Sequence, residues 1–131
     1  MSVKNVSISG IVGAVVNFLL GWLFYGLLFK NNFEQPTESS ENLIFIFLGC
    51  LVFALFIAYI YAHWAQIKTA STGAKAGAII GFFTGLYFNF FNMAMNSDAT
   101  FQTMLLDVVL TIVMTGITGA FIGLILGKLD K

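Results

Sequence analysis

Four apolar runs, each long enough to cross a lipid bilayer, constrain this chain more than any other feature. A spanning helix takes ~20 apolar residues at ~1.5 Å rise each, and the runs cover residues 8–29, 43–62, 74–95 and 100–126. Helix is the reading for all four. An isolated strand cannot satisfy its backbone in lipid, and the ten-residue alternation of a membrane barrel is absent. The single proline, Pro36, falls between the first two runs and interrupts none of them. Only 9% of the 131 residues are charged, against about a quarter in a soluble domain. Residues 1–131 are therefore read as a single transmembrane domain. The first run is too long for a cleaved signal peptide and lacks a small-x-small site, so it is expected to stay as a helix.

The connections are short: Asn31–Asn42, Gln66–Lys75 and Asn96–Ala99. Short connections force antiparallel neighbours, which predicts an all-α, up-down-up-down four-helix bundle. Ser71 or Thr72 is the expected cap of the third helix, and Ser97 or Asp98 that of the fourth. Lys4, Lys68, Lys75, Lys128 and Lys131 fall on one side of this zigzag. Lys30 falls on the other, with Glu34, Glu38, Glu41 and Asp98. The positive-inside rule then places both termini in the cytoplasm. Tyr59, Tyr61, His63 and Trp64, at the cytoplasmic end of the second helix, read as an interfacial aromatic belt.

Several function classes find no support. The formal net charge is zero and arginine is absent, so no nucleic-acid partner is expected. Cys50 is the only cysteine and no metal-ligand or C-x-x-C spacing occurs, so neither a metal nor another cofactor is expected. No catalytic serine–histidine–acid set, metalloprotease motif or phosphate loop is present. The chain is expected to be no enzyme.

Small and polar residues recur at four-residue spacing in every run. The first gives Ser9, Gly13, Asn17, Gly21 and Tyr25; the second gives Cys50, Ala54, Ala58 and Ala62. The third gives Gly73, Gly77, Gly81, Gly85 and Asn89. The fourth gives Asp107, Thr111, Thr115, Gly119, Gly123 and Gly127. Helix association in lipid needs close backbone approach and interhelical hydrogen bonds, and such stripes supply both. Gly13, Gly21, Gly77, Gly81, Gly85, Gly119 and Gly123 are thus candidate packing positions. "GAVVNFLLGWLFY" in the first helix aligns with "GAIIGFFTGLYFN" in the third. That fits a parallel helical-hairpin duplication, and equally a chance similarity between two helices rich in Gly and Phe.

Asp107 is the acid that stands inside a span. It lies ~10 Å below the outer boundary by residue count, a depth shared with Asn89. Asn92 and Tyr25 lie near the same level, and Asn17 sits near the midplane. Two arrangements fit Asp107: a protonated acid bonded to Asn89 or Tyr25, or an ionised acid in a hydrated pocket. Three readings of the residue follow: a polar clasp between the third and fourth helices, a protonatable site for proton- or cation-coupled transport, or a carboxylate whose cation comes from a partner subunit or bound ligand.

The end of the first helix, "GWLFYGLLF" (Gly21–Phe29), resembles the domain-of-unknown-function 1761 family of small bacterial membrane proteins. Gly21, Tyr25 and Phe29 match the family's Gly-x-x-Trp-Tyr-Ser-Pro-x-x-Phe pattern; Phe24 replaces the Trp and Gly26-Leu27 the Ser-Pro. Leu105-Leu106-Asp107 and the Gly-rich Gly116–Gly127 are similar to the family's last helix. The resemblance implies a four-helix layout and no particular activity. The resulting expectation is a polytopic protein of the bacterial inner membrane. It would act as a structural or accessory subunit with the lipid bilayer as its solvent, either as a homo-oligomer or within a larger membrane complex. The alternative is a small transporter or channel that uses Asp107.

Overall fold

The computed structural model describes residues 3–24, 40–95 and 100–129. The described residues form four helices: α1 (Val3–Gly21), α2 (Ser40–Ile60), α3 (Ala70–Met95) and α4 (Phe101–Leu129). A π-helical turn, Tyr61–Ala65, extends α2. All four helices are long and apolar enough to cross a membrane. They also extend past the apolar runs into polar sequence: α1 includes Lys4 and Asn5, and α3 includes Ser71 and Thr72. Polarity of the side chains does not end a helix; the end comes where a cap satisfies the backbone.

Those caps differ from the expected ones. The Thr72 N–H is bound by the Thr69 hydroxyl at 3.2 Å, and Gly73 N–H donates to the Thr69 carbonyl at 3.0 Å. Thr69, not Ser71 or Thr72, therefore caps α3. Thr100 serves α4 in the same way, with its hydroxyl 3.2 Å from Thr103 N and its carbonyl 3.0 Å from Met104 N. Ser97 and Asp98 lie outside the described residues. The π-helical turn closes on Gln66, which takes a left-handed conformation at φ 53° while its N–H returns to the Tyr61 carbonyl. That residue turns the chain sharply toward α3.

α4 is the central helix. Half of its most apolar stretch is buried, against 22% in each of the first two spans and 17% in α3. On one side it meets α1, where Gly13 faces Ile122 and Gly21 faces Met114. Numbers rise along α1 as they fall along α4, so these two helices are antiparallel. α1 pairs with α2 in the same sense: Gly10 meets Leu55, Gly13 meets Ala54, and Phe18 packs edge-on against Phe47 at 5.7 Å. The core between α1, α2 and α4 is small-residue-rich, with Ala14, Ala54, Ala58 and Ala62 beside Ile57, Tyr61, Ile122 and Leu126. Ser9, fully buried, donates to the Asn5 carbonyl of its own helix at 2.8 Å, which satisfies its hydroxyl inside this packing.

On its other side α4 carries α3 along a seam of glycines, also antiparallel. The facing pairs are Gly73 with Gly119 and Gly123, Gly77 with Thr115 and Gly116, Gly81 with Thr111 and Ile112, and Gly85 with Val108 and Thr111. The aromatic side chains of α3, including Phe83, Tyr87, Phe88 and Phe91, point away from this seam and are exposed. An apolar exterior around a small-residue interior is the arrangement expected where lipid supplies no hydrophobic drive for association.

Candidate functional site

The seam runs into one polar pair. Asn89 continues the α3 row one turn beyond Gly85, and Asp107 begins the α4 row one turn before Thr111. The Asn89 Nδ2 donates to Asp107 Oδ2 at 2.6 Å and to the Gly85 carbonyl at 2.8 Å. Both amide hydrogens are thus used, one within α3 and one across to α4. Asn89 is 7% exposed and Asp107 half-buried, so the bond lies at the edge of the contact rather than sealed within it. Thr111 donates back to the Asp107 carbonyl at 2.7 Å, a local bond that keeps its hydroxyl satisfied where α3 passes closest.

This geometry presents the Asp107 carboxylate as an acceptor for an amide. Asn89 is neither an acid nor a base, so what it offers Asp107 is a hydrogen-bond donor. Among the described residues no three His, Cys, Asp or Glu side chains converge as metal ligands.

The other polar candidates do not join this pair. Asn92 is exposed on α3, so the expected polar layer does not extend to it; it lies three residues past Asn89, rotated off the seam. Tyr25 lies outside the described residues. Asn17 is hydrogen-bonded instead to Cys50, side chain to side chain between α1 and α2.

The candidate packing glycines divide by how closely a neighbour approaches. A methyl group at Gly77 would collide with the Thr115 carbonyl oxygen, and one at Gly123 with that of Thr69. At Gly81 it would meet the Thr111 oxygen at 2.8 Å, at Gly119 the Gly73 oxygen at 2.5 Å, and at Gly13 the Ile122 Cδ1 at 2.6 Å. Gly85 has ordinary contact at 3.4 Å from Thr111 Cβ. Gly21 differs, since a methyl there would only touch Met114 Cε at 3.6 Å. Its interface with α4 is filled by a flexible side chain, not by backbone.

Tyr61 departs from the aromatic-belt reading. Tyr59, His63 and Trp64 are exposed and stack on one another, Tyr59 with His63 at 4.6 Å and with Trp64 at 5.9 Å. Tyr61 is wholly buried, and its phenol donates to the Gly73 carbonyl at 2.7 Å. The signal was present in the spacing. Tyr61 falls three residues after Ala58 and four after Ile57, on the buried face of α2, where Tyr59 does not.

A family model described as a protein of unknown function, DUF1761, matches residues 8–125, a stretch that holds the seam, the Asn89–Asp107 pair and Tyr61. The chain belongs to the DUF1761 family. No curated protein and no solved structure matches it. Membership in DUF1761 brings no reaction with it, so the function of this member has to be read from its own residues.

Proposed function

We propose that this DUF1761 protein is a non-enzymatic structural or accessory subunit of a bacterial cytoplasmic membrane. In this reading it crosses the bilayer up-down-up-down with both termini in the cytoplasm, and it self-associates or joins a larger membrane complex. The observation that carries the reading is the 2.6 Å bond from Asn89 to Asp107. The carboxylate that a coupled transporter would need free to exchange protons or ions is engaged in joining α3 to α4. It stands at the end of a seam too tight for a methyl group at Gly77. The small-residue faces support helix association as the chain's main business, and the exposed aromatic face of α3 leaves surface for a further partner.

Asp107→Asn separates this reading from transport. An amide can still accept from Asn89, so the folded bundle is expected to persist. Proteoliposomes of wild type and variant should then show equal, background proton and cation flux. A pH-dependent flux in the wild type that the variant loses would establish the transporter instead. Native mass measurement after mild detergent extraction reads the assembly directly. A lone protomer under all conditions counts against the subunit reading. For orientation, a cysteine placed at Ser39 should react with an impermeant reagent outside intact cells, and one at Ser71 should not.

A further inference from the structure

We propose that Tyr87 of one protomer docks on Gly49 of the next, so that a second copy of this chain covers the exposed aromatic face of α3. Gly49 is set apart by its surroundings. Every other glycine of the described helices would bring a methyl within 4 Å of a neighbouring segment, whereas among the described residues nothing stands that near a methyl at Gly49. The missing side chain leaves a shallow apolar groove of about 500 Å³ along α2, lined by Leu48, Gly49, Val52, Phe53 and Phe56. Bare helix backbone in such a groove permits the close approach that holds membrane helices together.

Tyr87 is the matching knob. It is 60% exposed, stacks on Phe88 and Phe91 at 5.4 and 5.0 Å, and makes no hydrogen bond through its phenol among the described residues. It stands eight residues before Met95, the end of α3, and so ~12 Å from that end. Aromatic side chains on a helix lean toward its N-terminus, which carries this phenol deeper into the span and away from the headgroups. Lipid tails offer no acceptor there, and an unpaired hydroxyl is costly. The ridge therefore favours a protein surface over lipid. Gly49 is level with it. The Tyr61–Gly73 bond fixes the register of the antiparallel α2 and α3. Twelve residues back from Tyr61 is Gly49, and twelve forward from Gly73 is Gly85. Tyr87 is two residues further on, a rise that the backward lean of its ring takes up. Copies related by an axis along the membrane normal keep their levels, so Tyr87 of one meets Gly49 of another. The chain already uses this chemistry, since the Tyr61 phenol donates to a glycine carbonyl of another helix. Carbonyls around Gly49 each keep a second lone pair for Tyr87. Because α2 packs mainly on α1 and α3 on α4, the contact joins two different surfaces and repeats from protomer to protomer, the geometry that closes rings.

The inference rests on the self-association reading above and names its surface. Full-length protein is extracted in mild detergent and weighed by native mass spectrometry, where the wild type should be an oligomer. G49L fills the groove from outside the fold and Y87A removes the knob. Both should give protomers, with helix content unchanged by circular dichroism. Y87F keeps the ring, loses the phenol, and should weaken assembly roughly threefold to tenfold. Cross-linking in a C50S background tests the pairing. V52C and F83C each stand about one turn from their anchor, on its deeper side. The two proteins should cross-link when co-expressed, and neither should do so alone. Cross-linking of V52C with itself would mean that like surfaces meet, and would overturn the docking. An oligomer unchanged by both G49L and Y87A overturns this inference and leaves self-association standing. A lone wild-type protomer under every condition defeats both.

Discussion

The phenol of Tyr61 and the carbonyl of Gly73 meet at 2.7 Å inside the protein, and this bond ties the end of α2 to the start of α3. Gly119 completes the junction, because a methyl group there would stand 2.6 Å from the phenol oxygen and 2.5 Å from the Gly73 oxygen. Three chain segments thus converge on one hydroxyl.

Tyr61→Phe removes the bond while keeping the ring, and should cost about 1 kcal/mol, the range of interhelical hydrogen bonds in membranes. Gly119→Ala should cost more, about 1–3 kcal/mol as overpacking. The two together should be less than additive, since removing the phenol oxygen frees part of the space the methyl needs. Reversible unfolding in mixed micelles measures all three variants.

Gly77→Ala and Gly49→Ala should have opposite signs. Gly77 faces the Thr115 carbonyl, and Gly116 Cα lies 3.2 Å from where a methyl would sit, whereas among the described residues nothing lies within 4 Å of the methyl at Gly49. The first should destabilise by about 1–3 kcal/mol. The second should stabilise by up to about 1 kcal/mol through helix propensity. The same unfolding assay reads both.

A double-mutant cycle on Asn89→Leu and Asp107→Leu isolates the bond between them. Its coupling energy should lie at about 0.6–1.7 kcal/mol, as for hydrogen bonds between membrane helices. A coupling near zero would mean the pair contributes no cohesion, and the clasp would lose its support.

Thr118 offers a test of the core. Its hydroxyl is fully buried with no hydrogen-bond partner among the described residues, and an unsatisfied hydroxyl costs about 1–3 kcal/mol. Thr118→Val keeps the shape without that cost and should raise stability by about 1 kcal/mol.

The spans were legible because the length of an apolar run is a direct measure of what can cross a bilayer. The seam was legible because four-residue spacing nearly matches a helical turn, which is why Gly77, Gly81 and Gly85 meet Thr115, Thr111 and Val108. Less visible was which helix each stripe would face. Asp107 shared its estimated depth with Asn89 and is bonded to it, whereas Asn17 stood alone near the midplane and nothing in the sequence pointed it to Cys50 of α2. The caps were missed because Thr69 stands outside the apolar runs, where hydropathy gives no boundary, while Thr100 was counted as the first residue of the fourth run and not as the residue before its helix. Tyr61 was missed because the composition of its neighbourhood, three other aromatic or imidazole rings, outweighed its helical phase.

The central position of α4 bears on how the protein is made. A ribosome releases α1, α2 and α3 before α4, so α3 enters the bilayer without the helix that its glycine row fits. Until α4 emerges, that row is left to lipid or to whatever insertion machinery attends the nascent chain. Completion of the core waits for α4, and a chain truncated before Phe101 yields three helices and no scaffold to organise them.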